Sequence, residues 1–454
     1  MQTLKKLWHP LILSLVLMLA AFIRFGVAPF SAGPDVAQFW SFAEAFRLYG
    51  PDFYKYANAR IDLFPFQLWG YVYPPVWLGI LGLALLIVPS SSATHEMVSI
   101  SWRLAEKTPI ILADLAAGIL LYWAVPGSKY RKLLYACLWL FNPAVWYNSA
   151  VFGQFDSIAA AFLLASLIFL ERGNDRLAFI LAALAGMTKQ HTFIPVAMMV
   201  VIVARQFTWR RLSAGLALMA GIAAAISLPF LITGNFVDYF RTVLFPGQVP
   251  DYQSPQMFAF NGAAASLTFL HTVKGWDTLG LIKLEIPLLV LAVVTAAVFC
   301  YLKKIDVLRG ALAGMLVFIL FFYRINYQYL VVAIALALFV ASRTHYRSEK
   351  VMALCLAILP AAWLWLINVA TWFVYLEPNG NAMVPILDKL GLTHQGFPDS
   401  VYLAFTLVLT LLCATYVYLT FTRWKEPLRS LDPQPMTSAS GYAAGAPAIE
   451  KTSK

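Results

Sequence analysis

The chain is 61% hydrophobic and only 12% charged. Against that background an ionisable side chain set among apolar residues costs about 2.5–3.5 kcal/mol at the centre of a bilayer, so its presence is informative. Five such groups stand out: Asp35, Asp114, Asp156, Lys189 and Arg324. Asp35 sits in Gly33-Pro34-Asp35-Val36-Ala37-Gln38-Phe39-Trp40, just after the first apolar run. A carboxylate at that water–lipid boundary can take a proton from an incoming hydroxyl, or it can cap the helix-like run that follows. Asp156, in Gly153-Gln154-Phe155-Asp156-Ser157, either caps the next helix or lines a polar pocket. Lys189 follows Gly186-Met187-Thr188 and precedes Gln190 and His191. Its ammonium suits a phosphate as a point charge, or it snorkels to headgroups. Arg324 offers a guanidinium fork to phosphate oxygens, with snorkelling or an internal ion pair as its alternatives. Mid-helix, Asp114 is expected to pair with a neighbouring helix. His191 has no second His or carboxylate at ligand spacing and reads as a polar neighbour, not a metal ligand.

These residues must be held by membrane helices. Apolar runs such as 11–23 and 331–340 with its flanks are too many for a soluble fold of 454 residues to hide. The expected class is an all-α integral membrane bundle of about 10–12 transmembrane helices, with short interfacial helices in the first long loop. Several runs are shorter than about 17 residues, so tilted or broken helices are expected among them.

The net charge of +11 is spread over short basic clusters beside apolar runs, among them Lys129/Arg131/Lys132, Arg343/Arg347/Lys350 and Arg423/Lys425/Arg429. That is the positive-inside pattern, and no continuous basic face is left for nucleic acid. Cys137, Cys300, Cys355 and Cys413 show no CxxC spacing and read as small buried hydrophobes. The organisation expected is a signal-anchor helix at 1–30, an extracytoplasmic catalytic loop at 31–73, helical modules at 74–262 and 263–423, and a disordered cytoplasmic tail at 424–454. One point stays open. Lys5-Lys6 and the cluster at 129–132 should share a side, yet three apolar runs separate them. Either one run, 74–88, is re-entrant or interfacial, or the charge rule fails at one loop.

There is no P-loop, no G-x-G-x-x-G, no nucleophile elbow and no Asp-x-Asp. What is present resembles the GT-C superfamily of polyprenyl-phosphate-sugar-dependent glycosyltransferases. The pattern looks closest to the dolichyl-phosphate-glucose α-1,3-glucosyltransferases of N-glycan assembly, and is also similar to predicted bacterial and archaeal mannosyltransferases. Four stretches carry the likeness: Asp35 to Trp40; Gln67-Leu68-Trp69-Gly70-Tyr71-Val72-Tyr73-Pro74-Pro75; Asn142-Pro143 through Gly153-Gln154-Phe155-Asp156; and Thr188-Lys189-Gln190. The chain departs from the family where Gln154 replaces a histidine, where Asp156 replaces a neutral polar group, and where Asp35 to Gln38 is one residue shorter.

The resemblance implies an inverting transfer of a hexose, glucose or mannose, from a polyprenyl-phosphate-linked donor to a glycolipid or glycan acceptor. It implies Asp35 as general base, Lys189 and Arg324 stabilising the departing phosphate, and Tyr73, Gln154, Asp156 and Gln190 contacting substrate, with no metal and no other cofactor. The setting it implies is a prokaryotic cell membrane with an extracytoplasmic site among membrane lipids, and no nucleic-acid partner. A transporter or flippase of a lipid-linked sugar is the alternative, although many transporters show two matching repeat halves. A polysaccharide polymerase or ligase is a third reading, kept open by the excursion at 377–400.

Overall fold

A helix that is apolar on every side must be buried or lipid-facing, and the chain uses both solutions. The computed structural model describes residues 2–31, 34–56, 70–88, 98–233, 236–244, 261–323, 325–366, 383–391, 393 and 397–431. Among these residues the secondary structure is helical throughout. In chain order the helices begin with α1 (Gln2–Val27), α2 (Pro34–Tyr49), α3 (Phe53–Tyr56), α4 (Pro75–Ile87), α5 (Ile100–Ala124), α6 (Lys129–Leu140) and α7 (Pro143–Trp146). The series continues with α8 (Asp156–Glu171), α9 (Asp175–Thr188), α10 (Phe193–Gln206), α11 (Trp209–Leu231), α12 (Phe236–Leu244), α13 (Gly262–Lys274) and α14 (Leu279–Ile282). It ends with α15 (Glu285–Leu302), α16 (Val307–Phe321), α17 (Leu330–Arg343), α18 (Arg347–Ile358), α19 (Pro360–Leu366), α20 (Met383–Lys389) and α21 (Asp399–Thr422).

Among the described residues, four segments are long and apolar enough to cross a membrane: Pro10–Phe30, Trp209–Leu231, Leu279–Leu302 and Asp399–Thr422. All four lie mostly exposed, presenting residues such as Leu15, Phe22, Leu228, Leu291 and Leu411 to the outside. Such surfaces are untenable in water and natural in hydrocarbon. The chain is an integral membrane protein. The interior helices are shorter. Every residue of α17 is buried, and α8 is nearly as enclosed. At about 1.5 Å per residue, helices of 14–16 residues fall short of a hydrocarbon core of about 30 Å. They stop early because the chain unwinds at one end of the bundle. There a π-helical turn spans Tyr147–Phe152, and 3-10 turns span Gln190–Thr192 and Tyr327–Tyr329.

The basic clusters gather at the other end. Arg343 pairs with Glu171, and Tyr135 Oη donates to Ala341 O at 2.9 Å. Arg309 grips Glu349 with both arms at 2.8 and 2.7 Å, and Arg205 donates to Tyr301 O at 2.8 Å. This common face orders the passes, which alternate as α1, α5, α6 with α7 and its π turn, α8, α9, α10, α11, α14 with α15, α16, α17, α18 with α19, and α21. That is twelve among the described residues. α4 is not one of them. Tyr73, before it, lies beside Lys189, and the chain is back at the same end by Val98, whose carbonyl binds Arg103 with Pro29 as a second acceptor. So α4 is the run that starts and returns at one end, re-entrant or interfacial, and the N-terminal and 129–132 clusters share a side.

One expectation is corrected. The first residues of the tail fold onto the basic end: Trp424 and Leu428 are buried, Arg343 Nε donates to Arg429 O, and Arg309 donates to Glu426 O. A tryptophan and a leucine supply apolar area that the Pro/Ser/Gly/Ala composition of the later tail conceals. Residues 432–454 lie outside the described residues, as do 57–69 of the first loop and 245–260.

Candidate functional site

The site is assembled where α2, α8, α9 and the turns before α10 and α17 meet. Asp35 lies in the first turn of α2, where the helix dipole favours a carboxylate. Its position is fixed from behind by the opening turns of α5. Trp102 Nε1 donates to Val36 O at 3.1 Å, and Arg103 Nη1 donates to Pro29 O at 2.9 Å. Lys107 Nζ donates to Ala28 O at 3.1 Å, to Val151 O at 3.0 Å, and also to Ser31 O. Ser31 Oγ in turn bonds Val27 O and Ala150 O. One lysine thus ties the segment leading to Asp35 to the segment leading to Gln154.

The π turn over Tyr147–Phe152 ends at Gly153, whose φ of +76° is left-handed. A Cβ there would come within 2.4 Å of Val36 Cγ2 and 3.0 Å of Glu106 Oε2. The close approach and the backbone conformation both demand glycine. Gly153→Ala is expected to destabilise the protein by about 2 kcal/mol or more, from left-handed strain plus overlap. A shift in thermal denaturation of the purified protein in detergent checks this.

Past Gly153, four side chains form one continuous chain of contacts. Gln154 Nε2 donates to Asp35 Oδ2, Lys189 Nζ donates to Gln154 Oε1 at 3.3 Å, and Lys189 also pairs with Asp156 Oδ2. Gln154, Asp156 and Lys189 are fully buried, while Asp35 retains 7% exposure. Burial pushes the Asp35 carboxyl up from 3.8 to about 6, against the opposing pull of the Lys189 ammonium and the Gln154 hydrogen bond, with the Asp156 charge adding to the rise. Aromatic rings line the ammonium: Phe155 at 4.5 Å, and Tyr73 and Tyr329 each at 5.5 Å from Lys189 Nζ to ring centroid. Gln190 does not face this chain. Its Nε2 donates to Val72 O and so holds the segment that presents Tyr73.

Of the residues singled out from the sequence, Asp35, Tyr73, Gln154, Asp156 and Lys189 come together, and Gln190 braces them. Arg324 lies outside the described residues. Neither carboxylate serves as the N-cap: α2 starts at Pro34, and the cap position of α8 is Phe155. Asp114 belongs elsewhere, paired with Arg24 at 2.9 Å between α5 and α1. Sequence reasoning passes over Trp102, Glu106 and Lys107 and takes His191 only as a neighbour. The signal for the first three is present, as charged residues beside a tryptophan at the entrance of a long apolar helix. Glu106 is fully buried, and neither of its oxygens has a hydrogen-bond partner among the described residues. No group of three or more His, Cys, Asp or Glu that could hold a metal ion occurs among the described residues.

An almost buried carboxyl raised to about 6 and wired through an amide to a buried ammonium in a helical membrane bundle is an arrangement that a membrane enzyme of the group-transfer kind can use. The model of glycosyltransferase family 87 matches residues 71–323, more than half of the chain. The chain belongs to that family. Its matched region contains Tyr73, Gln154, Asp156 and Lys189, and begins after Asp35. Among solved structures, the chain is similar to ArnT from Cupriavidus metallidurans bound to undecaprenyl phosphate, at 14% identity and a TM-score of 0.44, over 90% of this chain and 77% of that one. It is similar also to the same protein in the apo state, at 16% identity and a TM-score of 0.45, over 90% and 76%. No curated protein matches the sequence.

Proposed function

We propose that this glycosyltransferase moves a hexose, glucose or mannose, from a polyprenyl-phosphate carrier to a lipid-linked or glycan acceptor, with inversion, at the extracytoplasmic face of a prokaryotic membrane. The observation that carries the reading is the Asp35 carboxylate, almost buried, held by Gln154 and lying at the end of the bundle opposite the basic clusters. In the reaction Asp35 accepts the proton of the acceptor hydroxyl as that oxygen bonds to the anomeric carbon. The bond from that carbon to the phosphate oxygen breaks, and the polyprenyl phosphate leaves with the electron pair. Lys189 is the cation nearest Asp35 in the contact chain, and it stabilises the charge that develops on the phosphate. The motif stretches resembling the dolichyl-phosphate-glucose transferases and the predicted mannosyltransferases favour these two sugars.

The test is transfer by purified protein from a panel of synthetic polyprenyl-phosphate hexoses, comparing wild type with Asp35→Asn. Transfer from one of these donors, undiminished by a metal chelator, is the expected result. Activity with none of them, but with a nucleotide sugar, would sink the donor assignment. Unchanged turnover in Asp35→Asn would remove the base.

A further inference from the structure

Lys189 is already committed in this structure. Its ammonium spends two of its three N–H donors on Asp156 Oδ2 and Gln154 Oε1 and is fully buried among aromatic rings, so a shift towards a donor phosphate loosens its hold on Asp156. That would strand a fully buried carboxylate, and removing one partner of a buried ion pair is strongly unfavourable. A replacement donor stands ready. His191, on the 3-10 turn directly after Lys189, is buried, with both ring nitrogens lacking hydrogen-bond partners among the described residues. Its Nε2 lies 3.8 Å from Asp156 Oδ1, which also lacks a partner among those residues. The gap is too long for a hydrogen bond and short enough to close by a small rotation. The ring is backed by Phe318, stacked at 5.6 Å between centroids, and edged by Tyr329 at 5.1 Å. A buried histidine with neither nitrogen satisfied calls for an explanation, and a second arrangement of the site supplies one.

We infer that His191 is a positioning residue which takes over Asp156 by a hydrogen bond from Nε2 when the donor's phosphate draws Lys189 away. This rests on the proposed role of Lys189 at the phosphate. Neutral imidazole is sufficient, because the tautomer with a proton on Nε2 donates and the carboxylate accepts. His191 touches no substrate. Its effect is on the balance between the donor-free and donor-bound arrangements, and so on affinity for the phosphate.

The probe is undecaprenyl phosphate without sugar, with binding read from the concentration that half-saturates its thermal stabilisation of purified protein in detergent. His191→Phe keeps the aromatic packing and removes the donor. It should leave the melting point of unliganded protein in place and weaken binding by at least about tenfold, the low end of what one hydrogen bond to a charged group is worth. His191→Gln, which restores an N–H donor, should bring binding back to within about twofold of wild type. In an Asp156→Asn background His191→Phe should add much less than its tenfold effect, since the charge to be captured is gone. Wild-type binding by His191→Phe overturns the inference. So does equal weakening in the Phe and Gln variants. Should His191→Phe fail to fold, His191→Met against His191→Gln reads the same contrast. Lys189→Met separates the two claims: wild-type binding in that variant sinks the role of Lys189 itself.

Discussion

Asp35→Asn is expected to lower turnover by at least about 10²-fold, the lower end for losing a general base, while making the folded protein more stable at neutral pH. The two effects have one cause. The carboxyl sits at about 6 in place of 3.8 because burial opposes its charged form more than Lys189 and Gln154 favour it. Below pH 3.8 the group is protonated whether the chain is folded or unfolded, and the raised value costs nothing. As pH climbs towards 6 the unfolded chain gives up the proton more readily than the folded one, so stability falls, and it levels off above about 6. The rise from 3.8 to about 6 corresponds to about 3 kcal/mol. The asparagine side chain can still accept the Gln154 hydrogen bond through its own oxygen, without the charge. The variant should therefore melt above wild type at about pH 7.5 and match it near about pH 3.5, if both remain folded there.

Catalysis runs the other way. A base must be ionised, so wild-type kcat/KM should rise with pH through about 6 and then flatten. A stabilised but active Asp35→Asn would show a carboxylate that strains the fold without serving the reaction. A variant that loses both activity and stability would show a structural residue.

The cost of charge in an apolar chain explains what the sequence makes legible. Asp35, Asp156 and Lys189 are visible because each interrupts an apolar stretch, and the motifs around Gly153 and Lys189 indicate that they belong together. Positive clusters at loop ends give the bundle its sides and leave only α4 in doubt. What settles α4 is its two flanks, Tyr73 and Val98, meeting the same end of the molecule, a long-range fact that periodicity cannot hold. Lys107 is visible as a charge at the entrance of α5, but what it holds stays hidden for a related reason. Its partners are backbone carbonyls of Ala28, Ser31 and Val151, and a carbonyl leaves no mark in the sequence. The unsatisfied nitrogens of His191 are equally invisible, because spacing shows which groups are near in the chain and not which lack partners.

Arg24→Met, outside the site, should cost about 3–5 kcal/mol of stability. Arg24 and Asp114 are both completely buried, joined at 2.9 Å, and they knit α1 to α5. Arg24 Nη1 also donates to Leu140 O at 2.9 Å, and Ser149 donates to Asp114 Oδ2. Removing the guanidinium strands a carboxylate in the interior with one hydroxyl for support. The pair is not fully satisfied even when intact, since Arg24 Nη2 and Asp114 Oδ1 have no hydrogen-bond partner among the described residues. Much of the Coulombic gain is thus offset by desolvation, and the double variant Arg24→Met, Asp114→Leu should recover most of the loss, as apolar replacements of buried pairs do. Among the described residues, neither Arg24 nor Asp114 makes a hydrogen bond or ion pair to Asp35, Gln154, Lys189 or Asp156. The double variant should therefore keep transferase activity within a few-fold of wild type, in contrast to Asp35→Asn. Chemical denaturation of the purified single and double variants measures the coupling. If the double variant is no more stable than Arg24→Met, the two groups act separately, and the attraction between them is not what joins α1 to α5.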